Sequence, residues 1–260
     1  MSWPATKMTL RLRLPLAASA VFGLIAVLLA VGALFPAIGH SIGKLSIPTG
    51  VSQLLGGADY GTITGWYRSE MGSVYGPLLI AAVAIISASA STAGEEEDRV
   101  LGLLLAHPVE RSRLIVAKAA AIATIVVMVA VACWVGLIAG VALAGGGIGV
   151  GHLAAFCLQL AFFGFATGAV ALALGAGTGR RSLANGVAAG VAIIGWLING
   201  FAPLVSAISW LKYLSLFHYY EGNDPLTHGV DIADIIVLGA VALLLTAVAT
   251  ISIEHRDLRA

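Results

Sequence analysis

The segment Gly94–Lys118, GEEEDRVLGLLLAHPVERSRLIVAK, is a dense charged stretch in an otherwise apolar chain. It opens with four consecutive acids and holds three arginines and a lysine, yet the runs on either side of it carry no charge. The chain is 59% hydrophobic and only 10% charged, whereas soluble domains are about 25% charged. We therefore expect most of the chain to lie in lipid, with this segment as the place where a water-soluble partner binds.

Six apolar runs are long enough to cross a bilayer, which takes roughly 20 helical residues at about 1.5 Å rise per residue. The predicted spans are residues 16–35, 77–93, 119–144, 152–176, 183–209 and 235–253. The third and fourth are separated by the run GGGIGVG, residues 145–151, which predicts a turn. The predicted fold class is therefore all-α, a polytopic membrane protein whose residues 1–260 form one transmembrane domain with six transmembrane helices.

Two longer mixed segments, residues 36–75 and 210–234, are predicted to lie outside the membrane on its external side. The first contains Trp66 and Tyr67, which we interpret as part of an aromatic belt at the headgroups. The basic lead, residues 1–14, is predicted either to lie at the cytoplasmic interface or to be a frayed tail.

The distribution of positive charge predicts the orientation. With the amino terminus in the cytoplasm, eleven of the fourteen Lys and Arg residues fall on the inner side, and only Lys44, Arg68 and Lys212 fall outside. This bias follows the positive-inside rule. Both termini and the charged segment are therefore predicted to be cytoplasmic, in the inner (cytoplasmic) cell membrane.

Within the charged segment, residues 95–107 are predicted to form a short amphipathic helix. The acids from Glu95 to Asp98 suit the positive end of a helix dipole, and a leucine stripe gives one apolar face. Pro108 ends the helix, because the residue before a proline is pushed out of helical geometry. The alternative is an ordinary inner loop that only satisfies the charge rule, and the physical pattern alone leaves both open.

The pattern EEExxxLxLLLAxPVxR, followed by a lysine, resembles the segment between the second and third spans of ABC-2 type permeases, the membrane subunits of a class of ABC exporters. The matching positions are Glu95, Glu97, Leu101, Leu103, Leu104, Leu105, Pro108, Val109, Arg111 and Lys118. Many members have Gly-Thr where this chain has Arg99 and Val100, and often an acid at Gly102. The six-span layout and the mixed segment before the last span are also similar to the short permeases of this family.

The resemblance implies that residues 94–118 contain a coupling helix that docks on a separate cytoplasmic ABC ATPase, present in two copies. It also implies a second permease copy or a homologous permease across the transport path. ATP and magnesium would be bound by the ATPase, so this chain is expected to need no cofactor and to be no enzyme. The residues implied in partner binding are Glu95, Glu97, Arg99, Leu101, Leu104, Leu105, His107, Pro108 and Arg111.

Other functional classes find less support in the sequence. The run GHSIGKLS at residues 39–46 is one residue short of a phosphate-binding loop, and no strand is predicted before it. The predicted spans hold no Asp, Glu, Lys or Arg, which argues against the main alternative, a secondary transporter driven by an ion gradient. The six histidines are scattered over loops and span ends. This distribution argues against an intramembrane enzyme, which needs catalytic or metal-binding residues grouped at membrane depth. No basic or acidic domain suggests nucleic acid.

Some polar and small residues within the spans have two interpretations. Asn185 and Asn199 can each line a substrate path or form a hydrogen bond between helices, and the second is favoured. The Gly-x-x-x-Gly pairs at residues 136/140, 164/168 and 186/190 can mark helix contacts or a dimer face, and no interface is assigned to them. Cys133 and Cys157 are expected to be buried thiols.

Overall fold

The computed structural model describes residues 3–39, 41, 59–98 and 110–256, and these residues form helices and turns without a strand among them. The helices are α1 (Trp3–Leu34), α2 (Ile63–Glu97), α3 (Arg111–Leu143), α4 (Val150–Thr178), α5 (Arg181–Phe201), α6 (Leu216–Glu221), α7 (Pro225–His228) and α8 (Ile232–His255). Six of them, α1 to α5 and α8, are long and apolar enough to cross a membrane. The prediction of an all-α polytopic membrane protein with six spanning helices is therefore confirmed.

The spanning helices are longer than the apolar runs that predicted them. Helix α1 begins at Trp3, so the basic lead is helical and continuous with the first span, and the interpretation as a frayed tail is wrong. A π-helical turn, Phe35–Gly39, extends α1 at its other end. Helix α2 is one helical run that contains two π-helical stretches, Arg68–Tyr75 and Ala90–Gly94.

Helix α2 begins fourteen residues earlier than predicted, at Ile63. The hydroxyl of Thr62 caps its first turn by accepting a hydrogen bond of 3.1 Å from the Gly65 amide. Trp66 and Tyr67 are buried, and the Trp66 indole donates to the Val31 carbonyl of α1 at 3.0 Å. The prediction that these two aromatic residues lie in an external belt is wrong, because the first turns of α2 pack against α1.

Glycines allow α1 and α3 to pack closely. A Cβ atom at Gly140 would lie 2.5 Å from the Tyr67 hydroxyl and 2.6 Å from the Leu28 carbonyl, so only glycine fits there. The pair Gly164/Gly168 is likewise filled by side chains of α2 and α3. In contrast, Gly186 and Gly190 face open space. Two of the three Gly-x-x-x-Gly pairs are therefore contacts within the chain.

Helices α2 and α4 are the most buried of the spanning helices, and α5 and α8 are the least. Of the apolar window in each helix, 67% is buried in α2 and α4, compared with 22% in α5 and 11% in α8. The glycine run after α3 forms the turn into α4, and Gly145, Gly146 and Gly147 have positive φ angles of 104°, 78° and 117°. By burial, helices α2 and α4 form the centre of the bundle, and α5 and α8 lie at its periphery with most of their apolar side chains exposed.

Consecutive spanning helices run in opposite directions, so the bundle has two distinct ends. The Glu95 end holds the starts of α1, α3 and α5 and the ends of α2, α4 and α8. The Glu221 end holds α6 and α7 and a 3₁₀-helical segment, Ser206–Leu214, with an exposed Trp210 and Tyr213. An exposed tryptophan and tyrosine beside an apolar bundle suit the headgroup region of a membrane.

The glycine contacts predict a difference between Gly140→Ala and Gly186→Ala. The first change forces α1 and α3 apart and is expected to lower the free energy of unfolding by about 1–3 kcal/mol, the range for overpacked sites. The second adds a methyl group in open space and is expected to change it by less than about 0.5 kcal/mol. Unfolding by SDS in mixed micelles measures both, and equal losses would contradict the packing of α1 on α3.

Candidate functional site: a buried charge cluster and an apolar groove

The structure places only part of the predicted partner-binding set. Glu95 and Glu97 lie in the last turn of α2, and Arg111 is the first residue of α3. The remaining predicted residues lie outside the described part of the chain: Arg99, Leu101, Leu104, Leu105, His107 and Pro108. The prediction that the acids open an exposed helix is wrong, because they end α2 and because Glu95 and Glu96 are 6% and 5% exposed.

Glu95 forms a buried ion pair with Lys118 of α3. The ammonium nitrogen lies 2.5 Å from Glu95 Oε2 and also donates to the Ser91 carbonyl, and Lys118 is 1% exposed. The sequence predicts that Lys118 lies just before the third span and that the predicted spans hold no Asp, Glu, Lys or Arg. Helices α2 and α3 are longer than these apolar runs and include Glu95 and Lys118, so the spanning helices do carry charged residues.

Glu96 pairs with Arg256, which follows the last helix. Gly179, the residue after α4, packs directly beside this pair in a left-handed conformation with φ 61°. A Cβ atom at Gly179 would overlap both the Arg256 guanidinium and the Glu96 carboxylate. Glycine is therefore required here for its backbone conformation and for the space that the ion pair occupies.

Glu97 and Arg111 complete the contacts at this end. Glu97 Oε1 accepts a hydrogen bond of 2.9 Å from the Arg181 amide, so the carboxylate caps the positive end of α5. Arg111 donates to the carbonyls of Ile253 and Arg256 at 3.3 and 3.1 Å. We call these side chains the Glu95 cluster: Glu95, Glu96, Glu97, Arg111, Lys118 and Arg256. The cluster joins α2 to α3, α5 and the end of α8.

A cavity of about 400 Å³ lies between α2 and α5, and its lining is almost wholly apolar. We call it the α2–α5 groove. Its few polar residues include Ser73 of α2 and Asn185 and Trp196 of α5. Asn185 Oδ1 and Trp196 Nε1 are buried and have no hydrogen-bond partner among the described residues. Asn185 therefore lines the groove, and its Oδ1 makes no hydrogen bond to another helix among the described residues.

A second polar network borders the groove at the Glu221 end. Ser73 Oγ donates to Glu221 Oε1 at 2.6 Å, and Asn199 Nδ2 donates to Glu221 Oε2 at 3.2 Å. Asn199 therefore makes a contact between α5 and α6. Arg68 pairs with Asp224 at 2.9 Å beside it. Burial raises the pKa of the Glu221 carboxyl, opposed by the Ser73 hydrogen bond and the Arg68 charge.

Glu221 falls in the predicted external segment 210–234, and its sequence position alone indicates no role for it. In the structure α6 folds back against the bundle, and Glu221 is only 9% exposed. A search of the sequence for apolar runs does not detect that Glu221 is buried, because its burial comes from contacts with residues of α2 and α5 that are distant in the sequence. A buried acid near a cavity is a recognised signal of function only when the fold is known.

The described residues offer no alternative site for a metal or a disulfide. Among them, no group of three or more His, Cys, Asp and Glu residues could hold a metal ion. Cys133 and Cys157 are free and buried, as expected. The charge cluster and the groove are thus the candidate functional features of the described bundle.

The Glu95 cluster predicts strong coupling between Glu95 and Lys118. Glu95→Gln or Lys118→Met alone leaves a buried charge without its partner, which is expected to cost about 3–5 kcal/mol of stability. The double variant removes both charges and is expected to cost clearly less than the sum. SDS unfolding measures all three, with Glu110→Gln as the control, because Glu110 pairs with Arg113 at the surface and its loss should cost at most about 1 kcal/mol. Additive losses would contradict a direct pair.

Comparison with known proteins identifies one family. Residues 5–253 match the family model described as "Multidrug efflux system permease Rv1217c, C-terminal domain". A comparison with curated proteins finds no significant match. Since the family match covers nearly the whole chain and all six spanning helices, the chain belongs to the family of the C-terminal domain of the multidrug efflux system permease Rv1217c, and its role is that of a transport permease in a membrane.

Proposed function

We propose that the chain is the permease subunit of an ABC exporter of the ABC-2 type, driven through residues 94–118 by a separate cytoplasmic ATPase. The observation that carries the proposal is the Glu95 cluster. It ties the residues on both sides of the segment 99–109 to the spanning helices, through Glu95 to Glu97 before it and Arg111 after it. Force applied to the segment therefore acts on the bundle rather than on a loose loop.

The α2–α5 groove is our proposed substrate path. Its two walls are joined at the Glu95 end by the hydrogen bond from the Arg181 amide to Glu97. A movement of the end of α2 therefore pulls on the start of α5 and changes the width of the groove above it. ATP and magnesium are bound by the ATPase in this mechanism, and the permease contributes the path and the mechanical link.

A second permease copy completes the path in this proposal. Helix α5 forms one wall of the groove, yet only 22% of its apolar window is buried within the chain. The groove therefore has an open, apolar side on which a second copy or a homologous permease can pack. A volume of about 400 Å³ lies within the usual range of about 300–1,000 Å³ for drug-sized ligands, which agrees with multidrug efflux in the description of the family.

The first test concerns the ATPase. We expect the full-length permease to copurify from membranes with a soluble subunit that carries Walker A and B motifs. Leu104→Glu places a charge on the apolar stripe of the predicted coupling helix and is expected to lower copurified ATPase at least about fivefold, a loss of roughly 1 kcal/mol or more. Leu258→Glu, the same exchange in the polar tail, is the control.

Pro108→Leu is expected to uncouple ATP hydrolysis from export, since it removes the predicted end of the coupling helix. Sustained export by the purified permease with an ion gradient and no ATPase would overturn the proposal in favour of a secondary transporter. If the Leu104→Glu variant copurifies with as much ATPase as the unaltered chain, residues 94–118 do not bind the ATPase through the apolar stripe of the predicted coupling helix.

The second test concerns the path. Ala189→Phe fills the α2–α5 groove and is expected to reduce efflux of drugs from cells at least about tenfold, because it occupies the space that the substrate needs. Val135→Phe introduces the same ring at an exposed position of α3, away from the groove and from α5, and is the matched control. Both variants are compared at equal membrane levels. Equal efflux by the two would show that substrates do not pass through this groove.

A further inference from the structure

Glu221 is a buried carboxyl group whose hydrogen-bond partners are neutral. Ser73 binds one of its oxygens and Asn199 binds the other. The nearby guanidinium of Arg68 is paired with Asp224 instead. Among the described residues, therefore, two carboxylates and one cation share this corner of the bundle. A buried acid without a directly bonded cation is costly, and groups of this kind cluster at functional sites.

The position of Glu221 connects it to the α2–α5 groove. Ser73 lines the groove but is 1% exposed, and its hydroxyl donates a hydrogen bond to Glu221, with the Arg68 carbonyl 3.4 Å away. A hydroxyl oxygen also has acceptor lone pairs, so a ligand that reaches the wall at Ser73 can donate a hydrogen bond to it. Donation to a carboxylate makes that oxygen a stronger acceptor. Phe217, one turn before Glu221 in α6, lines the same end of the groove. The Glu221 carboxyl group therefore does not line the groove itself but is hydrogen-bonded to Ser73, which does.

We propose that Ser73 and Glu221 form a recognition site for a protonated amine at the end of the α2–α5 groove, so that the groove selects amphipathic monocations. The ammonium group donates a hydrogen bond to Ser73 Oγ, and Glu221 supplies the compensating negative charge. The apolar body of the ligand lies along the groove toward Asn185. This inference rests on the proposed function of the groove as the substrate path and adds the class of substrate.

The polar atoms of α5 set the shape of this ligand. Asn185 and Trp196 are eleven residues apart, which places them on one face of the helix and roughly 16 Å apart along it. Both line the groove and present unpartnered polar atoms, a carbonyl oxygen and an indole N–H. Trp196 is one turn from Asn199, which binds Glu221. The site therefore fits an elongated molecule with its amine at Ser73 and a hydrogen-bond donor for Asn185 Oδ1 at its other end, whereas the Trp196 N–H can bind only an acceptor atom of the ligand.

The test uses two fluorescent probes that differ in charge. Dansylcadaverine carries a primary ammonium group on a five-carbon chain, and N-pentyl dansylamide has the same body without the amine. Binding of each is measured by fluorescence with the full-length chain purified in detergent, without ATPase or nucleotide. Glu221→Gln is expected to weaken dansylcadaverine at least about tenfold, the loss typical of a charge-assisted contact, and to change N-pentyl dansylamide less than about twofold.

Ser73→Ala is a second variant, which removes one hydroxyl and tests the site independently if Glu221→Gln does not fold. It is expected to weaken dansylcadaverine selectively and in the same direction. Glu254→Gln, an exposed acid near the end of α8, is the matched control and is expected to change neither probe.

Two results would overturn the inference: unchanged dansylcadaverine binding in both groove variants, or equal losses for both probes. The outcome is separable from the proposed function, because binding is measured without the ATPase. Selective loss in the variants supports the amine site even if no ATPase copurifies. Coupled efflux together with unselective binding overturns the amine site and leaves the exporter in place.

Discussion

Three consecutive acids at the end of α2 impose the constraint on which this bundle depends. The end of a helix carries partial negative charge, so acids there are unfavourable unless cations or amide groups compensate them. In this chain the compensation comes from elsewhere in the fold: Lys118 binds Glu95, Arg256 binds Glu96, and the first amide of α5 binds Glu97. Because each partner belongs to a different part of the chain, neutralising α2 fixes the relative positions of the helices around it.

Helix α2 links the charge cluster to the groove and to the opposite end of the bundle. From Ser73 to Glu95 it rises roughly 33 Å, about the thickness of the hydrocarbon core. A π-helical stretch lies near each end of this length, Arg68–Tyr75 and Ala90–Gly94. Such stretches are frequent at functional sites because they interrupt the regular hydrogen-bond ladder. The regular α-helical length Gly76–Ser89 between these two stretches is the part of α2 that would carry the proposed movement from one end of the bundle to the other.

The sequence was sufficient for the features that depend on local composition. Apolar runs of bilayer length predicted the six spanning helices. The resemblance to exporter permeases agrees with the family match in one respect, that the chain is a permease of an efflux system. It was insufficient wherever a contact between distant residues decided the outcome. Lys118 lies at the edge of an apolar run, where a lysine usually reaches water. It is buried because it pairs with Glu95, 23 residues away in the sequence. Trp66 is a residue type typical of the aromatic belt of a membrane protein, but its indole N–H donates a hydrogen bond to the Val31 carbonyl of α1. Glu221 was assigned to a loop, because its burial depends on Ser73 and Asn199.

In the proposed mechanism the charged segment, residues 94–118, transmits force from a soluble partner to the bundle through the Glu95 cluster. The most direct measurement is site-specific photo-crosslinking in intact membranes, with a photoreactive residue in place of Gly102, inside the segment, and another in place of Phe22, an exposed apolar residue of α1. We expect position 102 to crosslink to a soluble ATPase and position 22 to crosslink to lipid or to another membrane chain. Crosslinks from position 102 only to lipid or to the permease itself would contradict the proposed mechanism.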